Sequence, residues 1–289
     1  SSTPERCGKE LTDSYVSPDS QILLSCGGGE LMCEILDYVD FEKIRNARPK
    51  WYMGYSDNTN FTYLSATLLD TAAVYGPCAA AFGMEPWHPA LEDAYRLLKG
   101  EIHQVTGYEK WEKESLKDAD HPLAPYNVTE QRKLRCFLGA EEQKDHQAKF
   151  EFSGRLIGGC MDCLVNLLGT VYDKTADFTE KYKEDGFIWF LESCDLNVFA
   201  IRRAVWQMKH AGWFRYVKGF LIGRPYCHGQ EMMGLDQYRA VTELLEEYHA
   251  PVIMDMDIGH LAPMMPVICG CCGRVSVCGN DVKIVYEKR

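Results

Sequence analysis

The chain has 289 residues, with 31 lysines and arginines against 42 aspartates and glutamates, so its formal charge is −11. Hydrophobic residues make up 46% of the chain and charged residues 25%, which is typical of a globular protein and excludes a disordered or fibrous one. The acidic balance argues against a nucleic-acid partner, because phosphates attract basic surfaces. No apolar run reaches the length of a membrane span, so we expect no membrane partner. The start of the chain shows no charged n-region, apolar h-region and small-residue cleavage site, so we expect no signal peptide.

The first part of the chain alternates between helical and strand-like segments. Phe61, Leu64 and Leu68 recur at helical spacing, whereas the short apolar run at 22–26 is typical of a buried strand. Such alternation indicates a parallel sheet with crossover helices. Because an α/β domain rarely opens on a lone helix, we expect further βα units upstream of this chain. The predicted elements are helices over 5–15 and 30–36, a helix ending near 69, and strands over 22–26 and 51–55.

Beyond Trp87 the pattern changes, since charged residues and prolines interrupt it. We predict an N-terminal domain (1–95), a connector (96–150) and a C-terminal domain (151–289). The predicted fold class is α/β with two domains, a Rossmann-like parallel-sheet domain that is truncated at its start and a mixed α/β domain. The further predicted elements are a helix over 91–98, a glycine-rich turn at 154–159, strands over 187–191, 219–223 and 251–254, helices over 198–211 and 235–249, and a hairpin over 275–286.

Ser56 is the first candidate for chemistry. It follows a predicted strand and precedes a predicted helix, so its hydroxyl can project over a sheet edge while the first amides of the helix face a developing oxyanion. The segment resembles a nucleophile elbow, but it departs from G-x-S-x-G because position 58 is asparagine. The alternative is a helix N-cap, in which Ser56 or Asp57 bonds the amides of the first turn.

Two further candidates lie at the ends of later strands. His260 follows a strand and Gly259, where open α/β sheets bind ligands, and an accessible imidazole can act as a general base. Glu192 ends an apolar strand, where a carboxylate is costly unless it is paired, and orienting an imidazole is one suitable pairing. The alternatives are a histidine on a surface loop and a carboxylate that points into solvent.

Acidic and cysteine clusters are weaker candidates, for a metal site. We interpret Asp255 and Asp257, which alternate along a strand, as one polar face of it. The 13 cysteines do not indicate a disulfide scaffold in a chain this long. Zinc sites typically need two C-x₂-C pairs, whereas this chain has a single such pair with no partner motif nearby. We therefore expect mostly reduced, buried thiols in a cytoplasmic protein, with no metal and no cofactor. The clusters are Cys160-x-x-Cys163 and a late group of Cys269, Cys271, Cys272 and Cys278.

A glycine triplet, Gly27 to Gly29, follows the first predicted strand. It lacks both the G-x-G-x-x-G pattern and the lysine of a P-loop, so a phosphate site is disfavoured. We interpret it as a place where backbone amides approach a substrate oxygen closely.

Several segments together share an order and a spacing with a known family. They are the glycine turn followed by 35–40, then 49–50, 54–59, 154–159, 190–192, 219–223 and 257–260. Over nearly the whole chain this resembles the LD-carboxypeptidase family of serine peptidases (peptidase family S66), and the block at 54–59 with the late Gly259-His260 is its most specific part. The connector around 108–134 is more similar to the branch that includes the microcin C self-immunity proteins.

The resemblance implies a Ser–Glu–His triad whose serine and histidine lie on different domains, with the active site between them. At the matching positions Ser56 is the nucleophile, Glu192 orients the imidazole and His260 is the general base. The family is commonly homodimeric, so a homodimer is expected. The implied oxyanion hole consists of the turn at Gly28 and Gly29 and the amide of Asp57.

Three departures from the family bear on the substrate and on the start of the chain. Position 27 is glycine, where the carboxypeptidase branch usually has arginine. The lysine that the self-immunity branch carries shortly after the triad glutamate is missing from 193–196. The family also begins with a strand-rich segment ahead of the position that matches Glu5.

The leading interpretation is a serine hydrolase that cleaves an amide in a small peptide, the L,D-bond of a murein tetrapeptide, through an acyl-enzyme. The alternative is an amidase for a peptidyl- or aminoacyl-nucleotide, in which aromatic residues of the connector stack on the base. A non-catalytic binding protein on the same fold and a zinc-containing regulatory protein are the remaining hypotheses. The aromatic residues in question are Trp87, Trp111 and Tyr126, for which ordinary packing is the alternative.

Overall fold

A computed structural model describes residues 2–143 and 149–287. Its helices are α1 (Pro4–Val16), α2 (Phe41–Arg45), α3 (Thr59–Thr67), α4 (Pro89–Leu98), α5 (Met161–Leu167), α6 (Thr175–Lys181), α7 (Val198–His210) and α8 (Gln237–Leu245). Its strands are β1 (Ile22–Leu24), β2 (Trp51–Gly54), β3 (Ala73–Tyr75), β4 (Gln104–Thr106), β5 (Lys110–Trp111), β6 (Glu130–Gln131), β7 (Arg135–Leu138), β8 (Glu141–Glu142), β9 (Lys149–Cys160), β10 (Phe187–Glu192), β11 (Val217–Gly223), β12 (Glu231–Met232), β13 (Leu235–Asp236), β14 (Pro251–Met256), β15 (Val267–Cys269), β16 (Cys272–Cys278) and β17 (Asp281–Tyr286). In this range every helix is too short or too polar to cross a bilayer.

The smaller sheet has the strand order β1-β2-β3-β15. Its first three strands are parallel, as predicted, and α3 connects β2 to β3. All nine residues of α3 are buried, because the helix packs against β3 and against β9 of the second sheet. The fourth strand, β15, comes from the far end of the chain and is antiparallel to β3. The segment predicted as a helix over 30–36 is a 3₁₀ helix, Met32–Tyr38.

The larger sheet has nine strands in the order β4-β17-β16-β9-β10-β11-β14-β7-β8. Its middle strands, β9, β10, β11 and β14, are parallel, and antiparallel strands extend it on both sides. Every residue of β10 is buried, as its continuous apolar run predicts for a strand covered on both faces. The two sheets and their helices confirm the mixed α/β fold class.

The predicted connector takes part in the larger sheet. Strand β4 pairs with β17, and β7 pairs antiparallel with β14. The domain boundaries at 95 and 150 stay a prediction, and the structure adds that the connector supplies strands to the C-terminal sheet. The predicted hairpin over 275–286 is confirmed as β16 and β17, which begin slightly earlier at Cys272.

The prediction of a glycine-rich turn at 154–159 was wrong, because these residues form the buried half of β9. Gly158 and Gly159 have φ values of +146° and +148°, in the region that favours glycine. A Cβ on Gly158 would overlap the carbonyl oxygen of Phe190 in β10, and one on Gly159 would lie 2.7 Å from Thr59 Cγ2 at the start of α3. The glycines therefore serve close packing of strand and helix rather than chain reversal.

We expect Gly158→Ala to destabilise the fold by about 3 kcal/mol or more, because the added Cβ meets backbone that cannot rotate away. Gly169→Ala is the control, since Gly169 also has a positive φ (+79°) but has open space around it, and we expect a loss of about 1 kcal/mol. Urea unfolding followed by circular dichroism measures both losses. Equal losses in the two variants would contradict the packing argument.

The cysteines divide between the interior and the surface. Six of the thirteen are buried, whereas Cys26 and Cys278 are exposed. The expectation of mostly buried thiols therefore applies to about half of them. The buried ones are Cys78, Cys136, Cys160, Cys163, Cys269 and Cys272.

Candidate active site

Ser56 lies directly after β2, on a sharp turn into α3. Its φ is +64°, unusual for a residue with a side chain, and its N–H donates to the hydroxyl of Tyr75 at 3.1 Å. Gly54 makes the turn possible, since a Cβ there would lie 2.6 Å from Cγ of Asn58. Neither the 3₁₀ turn Ser56–Asn58 nor α3 has a side-chain cap, so the N-cap alternative was wrong. This strained strand–turn–helix geometry projects a hydroxyl outward at the sheet edge.

The structure brings the three predicted site residues into one hydrogen-bonded line. His260 Nε2 lies 2.9 Å from Ser56 Oγ, and His260 Nδ1 lies 2.9 Å from Glu192 Oε2. Ser56 and Glu192 are 136 positions apart along the sequence, and only the packing of the two sheets unites them. The geometry is that of a nucleophile, a base and an orienting carboxylate.

Glu192 is fully buried at the end of β10, so the solvent-facing alternative was wrong. Two glycines make room for it. A Cβ on Gly259, whose φ is +108°, would lie 2.5 Å from Glu192 Oε2, and one on Gly223 would lie 2.9 Å from Glu192 Cβ. The residue before His260 thus has to be glycine for this carboxylate to reach the imidazole.

The charge of the imidazole is governed by two opposing effects. Burial lowers the pKa of His260, but the neighbouring Glu192 carboxylate outweighs it, with Cys194 contributing, and the net effect raises the pKa. An imidazolium formed by taking a proton from Ser56 is therefore stabilised where it stands. The ring of Tyr55 covers the imidazole, with centroids 5.0 Å apart.

Tyr75 is a residue of the site that the sequence reasoning missed. It ends β3, is fully buried, and donates its hydroxyl proton to Glu192 Oε1 in a short hydrogen bond. Burial, followed by the Glu192 carboxylate, raises the pKa of the Tyr75 hydroxyl well above its ordinary value, so it stays neutral and able to donate. The available signal was the apolar run Ala73-Val74-Tyr75, a third strand whose end meets the same sheet edge.

The glycine turn at Gly27 to Gly29 lies against the serine. A Cβ on Gly28 would lie 3.0 Å from Ser56 Oγ, and one on Gly29 would lie 3.0 Å from Asp57 Oδ2. Asn58 ties the turn down, because its Nδ2 donates to the carbonyl of Gly27 at 2.9 Å. Backbone of this turn therefore approaches the serine hydroxyl as closely as only glycine permits.

The carboxylate of Asp57 has a structural role beside the serine. It accepts hydrogen bonds from the Met32 amide at 2.8 Å and from Asn60 Nδ2 at 2.9 Å. Cys163 also approaches, with its sulfur 3.6 Å from the Ser56 carbonyl oxygen. These contacts fix the turn that carries Ser56. A small cavity of about 80 Å³ adjoins them, and its lining includes Glu30, Cys33, Asp162, Cys194 and Asp195.

Asp255 and Asp257 do not form the single polar face that we predicted, because both are buried and each carboxylate has its own hydrogen-bond donors. Arg224 links the two residues, since it also donates to the Asp255 carbonyl oxygen at 2.7 Å. Asp257 pairs with Arg224 at 2.5 Å and accepts from the Tyr108 amide at 2.8 Å. Asp255 accepts from the Tyr238 hydroxyl at 2.8 Å. Among the described residues there is no group of three or more histidine, cysteine or acidic side chains that could hold a metal ion.

Comparison with known proteins identifies the family. Residues 1–76 match the model of the LD-carboxypeptidase N-terminal domain, and residues 153–275 match that of the LD-carboxypeptidase C-terminal domain. The chain belongs to the LD-carboxypeptidase family. Ser56 lies in the first matched range, and Glu192 and His260 lie in the second. In this LD-carboxypeptidase homologue the hydrogen-bonded line therefore joins the two family domains.

One curated relative and two solved structures are similar to this chain. The microcin C7 self-immunity protein MccF of Escherichia coli is 25% identical over 283 residues, which cover 93% of this chain and 75% of that protein. The structure of wild-type MccF without ligand has a TM-score of 0.78 at 20% identity and covers 99% of this chain and 82% of that one. An MccF-like protein from Streptococcus pneumoniae in complex with AMP has a TM-score of 0.73 at 19% identity, with 98% and 83% covered. At such identities the structural likeness establishes the fold.

Proposed function

We propose that this chain is a serine hydrolase in which Ser56 is the nucleophile, His260 the general base and Glu192 the residue that orients the imidazole. The observation that carries the proposal is the continuous line from Ser56 Oγ through both nitrogens of His260 to a buried carboxylate. Membership of a peptidase family supports the same chemistry. A non-catalytic binding protein would have no need of a buried carboxylate behind the imidazole, which is costly to keep.

The proposed reaction follows from the positions of these groups. Nδ1–H of His260 donates to Glu192, which leaves Nε2 to accept the proton as Ser56 Oγ bonds to the carbonyl carbon of an amide. The amide C–N bond then breaks, and Nε2 returns the proton to the leaving amine. Water repeats the sequence on the ester and frees the acid. The negative oxygen of each tetrahedral intermediate faces the backbone at Gly28, Gly29 and Asp57.

The proposed substrate is a short peptide with an L,D-amide bond, as in a murein tetrapeptide that ends in D-Ala. The descriptions of both family domains, which name LD-carboxypeptidase, favour this substrate. The charged residues in the lining of the cavity beside Ser56 are Glu30, Asp57, Asp162 and Asp195, all of them acidic. Such a surface repels a phosphate and suits a peptide that carries amino groups.

The second candidate is an amidase that acts on a peptidyl- or aminoacyl-nucleotide. The likeness to MccF favours it, since one MccF structure, with a TM-score of 0.77, is a complex with glutamyl sulfamoyl guanosine. The aromatic residues named for this role are unequal in access. Trp111 is buried against His228 and Arg224, so it is packed in the protein. Trp87 is 40% exposed, with Phe82 and Tyr95 packed edge-on against its ring. We also propose a homodimer, solely because members of the family are commonly homodimeric.

The test compares the two substrates directly. The protein is incubated with a murein tetrapeptide and, separately, with an aminoacyl-adenylate analogue. The products are identified by mass spectrometry. Release of D-Ala supports the carboxypeptidase, and cleavage of the nucleotide conjugate alone supports the amidase. If neither is cut and a fluorophosphonate probe does not label Ser56, the serine-hydrolase proposal fails.

We expect Gly28→Ala to slow turnover about 10²-fold, because its Cβ would lie 3.0 Å from Ser56 Oγ, where the oxyanion and its donors have to fit. The neighbouring Gly27→Ala is the matched control, since a Cβ at Gly27 has nothing within 4 Å. The rate of Ser56 labelling by the fluorophosphonate measures both. If the two variants are slowed equally, the glycines serve to order the loop as a whole, and Gly28 does not specifically make room for the oxyanion.

A further inference from the structure

Tyr75 stands at the junction of the nucleophile and the orienting carboxylate. Its hydroxyl accepts a hydrogen bond from the backbone N–H of Ser56 at 3.1 Å and donates its own proton to Glu192 Oε1. The side chain is fully buried, and the rings of Phe190 and Tyr55 pack against it, with centroids 5.6 and 6.4 Å away. The phenol is therefore held in one place by its surroundings.

The two hydrogen bonds serve different ends of the proposed triad. Glu192 has two oxygens, of which Oε2 faces His260 and Oε1 faces Tyr75. A carboxylate held at both oxygens cannot turn about its last bond, so Oε2 stays aimed at the imidazole. At the other end, Ser56 has a positive φ and its N–H needs a partner that the turn does not supply.

We propose that Tyr75 is a positioning residue, which uses one neutral hydroxyl to lock both the backbone of the nucleophile and the carboxylate of Glu192. This inference rests on the proposed serine-hydrolase function and deepens it. Tyr75 does not touch substrate, and it acts through Ser56 and Glu192. Its loss should therefore slow the chemical step and leave substrate binding unchanged.

The chain offers a matched pair of substitutions to test this. Tyr75→Phe removes only the bridging hydroxyl. Tyr63→Phe removes another fully buried hydroxyl, which is hydrogen-bonded to Thr175 Oγ1 at 2.7 Å and has no contact with the triad. Labelling of Ser56 by a fluorophosphonate, in which Oγ bonds to phosphorus and fluoride leaves, separates the maximal labelling rate from the apparent affinity when the probe concentration is varied.

We expect Tyr75→Phe to lower the maximal rate about 10- to 100-fold, the factor expected for loss of a hydrogen bond to a charged group, with unchanged affinity. Tyr63→Phe should be labelled at the wild-type rate. Equal rates in wild type and Tyr75→Phe, or a loss confined to affinity, would overturn the positioning role alone. Absence of labelling in the wild type would overturn the proposed function and this inference with it.

A double substitution covers the case in which Tyr75→Phe fails to fold because Glu192 Oε1 is left without a donor. Glu192→Gln removes the buried charge, so Tyr75→Phe in that background leaves no unpaired carboxylate. Because one of the two hydrogen bonds of the Tyr75 hydroxyl is made to Glu192, the loss caused by Tyr75→Phe should be smaller in the Glu192→Gln background than in the wild type. An undiminished 10- to 100-fold loss in the double variant would show that the hydroxyl acts independently of Glu192 and would overturn its proposed role on that carboxylate.

Discussion

Replacing Ser56 by alanine is expected to lower kcat by about 10⁶-fold, because its proposed role is to supply the atom that bonds to the substrate carbonyl. His260→Ala should cost about as much, since an alcohol without a base at 2.9 Å is a poor nucleophile. The two residues act as one unit, so the double variant should be no slower than either single one. Steady-state hydrolysis of the substrate that the mass spectrometry identifies measures all three variants.

Ser276→Ala is the control for this series, since Ser276 lies in β16 of the larger sheet and is paired with Lys283 across the hairpin. It should retain wild-type kcat. A double variant that loses the product of the two single losses would contradict the triad, because independent residues contribute additively in free energy. Residual activity of Ser56→Ala near that of the wild type would place the nucleophile elsewhere.

Glu192→Gln is expected to lower kcat by about 10⁴-fold, the loss that follows when the orienting carboxylate of such a triad becomes an amide. It should also move the acid limb of the pH–rate profile. In the wild type the carboxylate raises the pKa of His260, so the imidazole becomes a free base only at higher pH. Without that charge the opposing effect of burial remains, which lowers the pKa, and the limb shifts to lower pH.

The measurement is the rate at which a fluorophosphonate labels Ser56 in both proteins between pH 5 and about pH 12, a range that spans the ordinary imidazole pKa and the raised pKa of His260, about 11. Cys78 and Cys194 also face the imidazole, so Cys194→Ser serves as the control. It should leave most of the shift in place. An acid limb that stays fixed or rises in Glu192→Gln would mean that His260 is not the group whose titration limits the rate.

Local patterns were sufficient to predict the three candidate residues. Each lies where an apolar strand meets a glycine or a turn, and such positions gather at one edge of a parallel sheet. Ser56, Glu192 and His260 were therefore recognisable separately, and their order resembled a known family. The strands that carry or precede them, β2, β10 and β14, were predicted from their short apolar runs, and in the structure only the first residues of β2 and β14 are less than fully buried.

Other features depend on partners that are distant in the chain. Tyr75 becomes part of the site only because β3 ends beside Glu192, which is 117 positions further on. Gly158 was interpreted as part of a turn, since the residues next to it in the sequence do not indicate that Phe190 lies against its backbone. Asp257 was interpreted as one of a polar pair, but in the structure it is hydrogen-bonded to Arg224 and to the Tyr108 amide, which are distant in the sequence.

The sequence by itself determined the secondary-structure alternation, the α/β class and the three candidate site residues, because periodicity, turn residues and strand ends are local properties. Tertiary structure alone decided that these side chains meet, that β15 completes the N-terminal sheet, and that one phenol bridges Ser56 and Glu192. The physical reason is that strand pairing and sheet packing join segments a hundred or more residues apart, and the energy of each contact is set by both partners together.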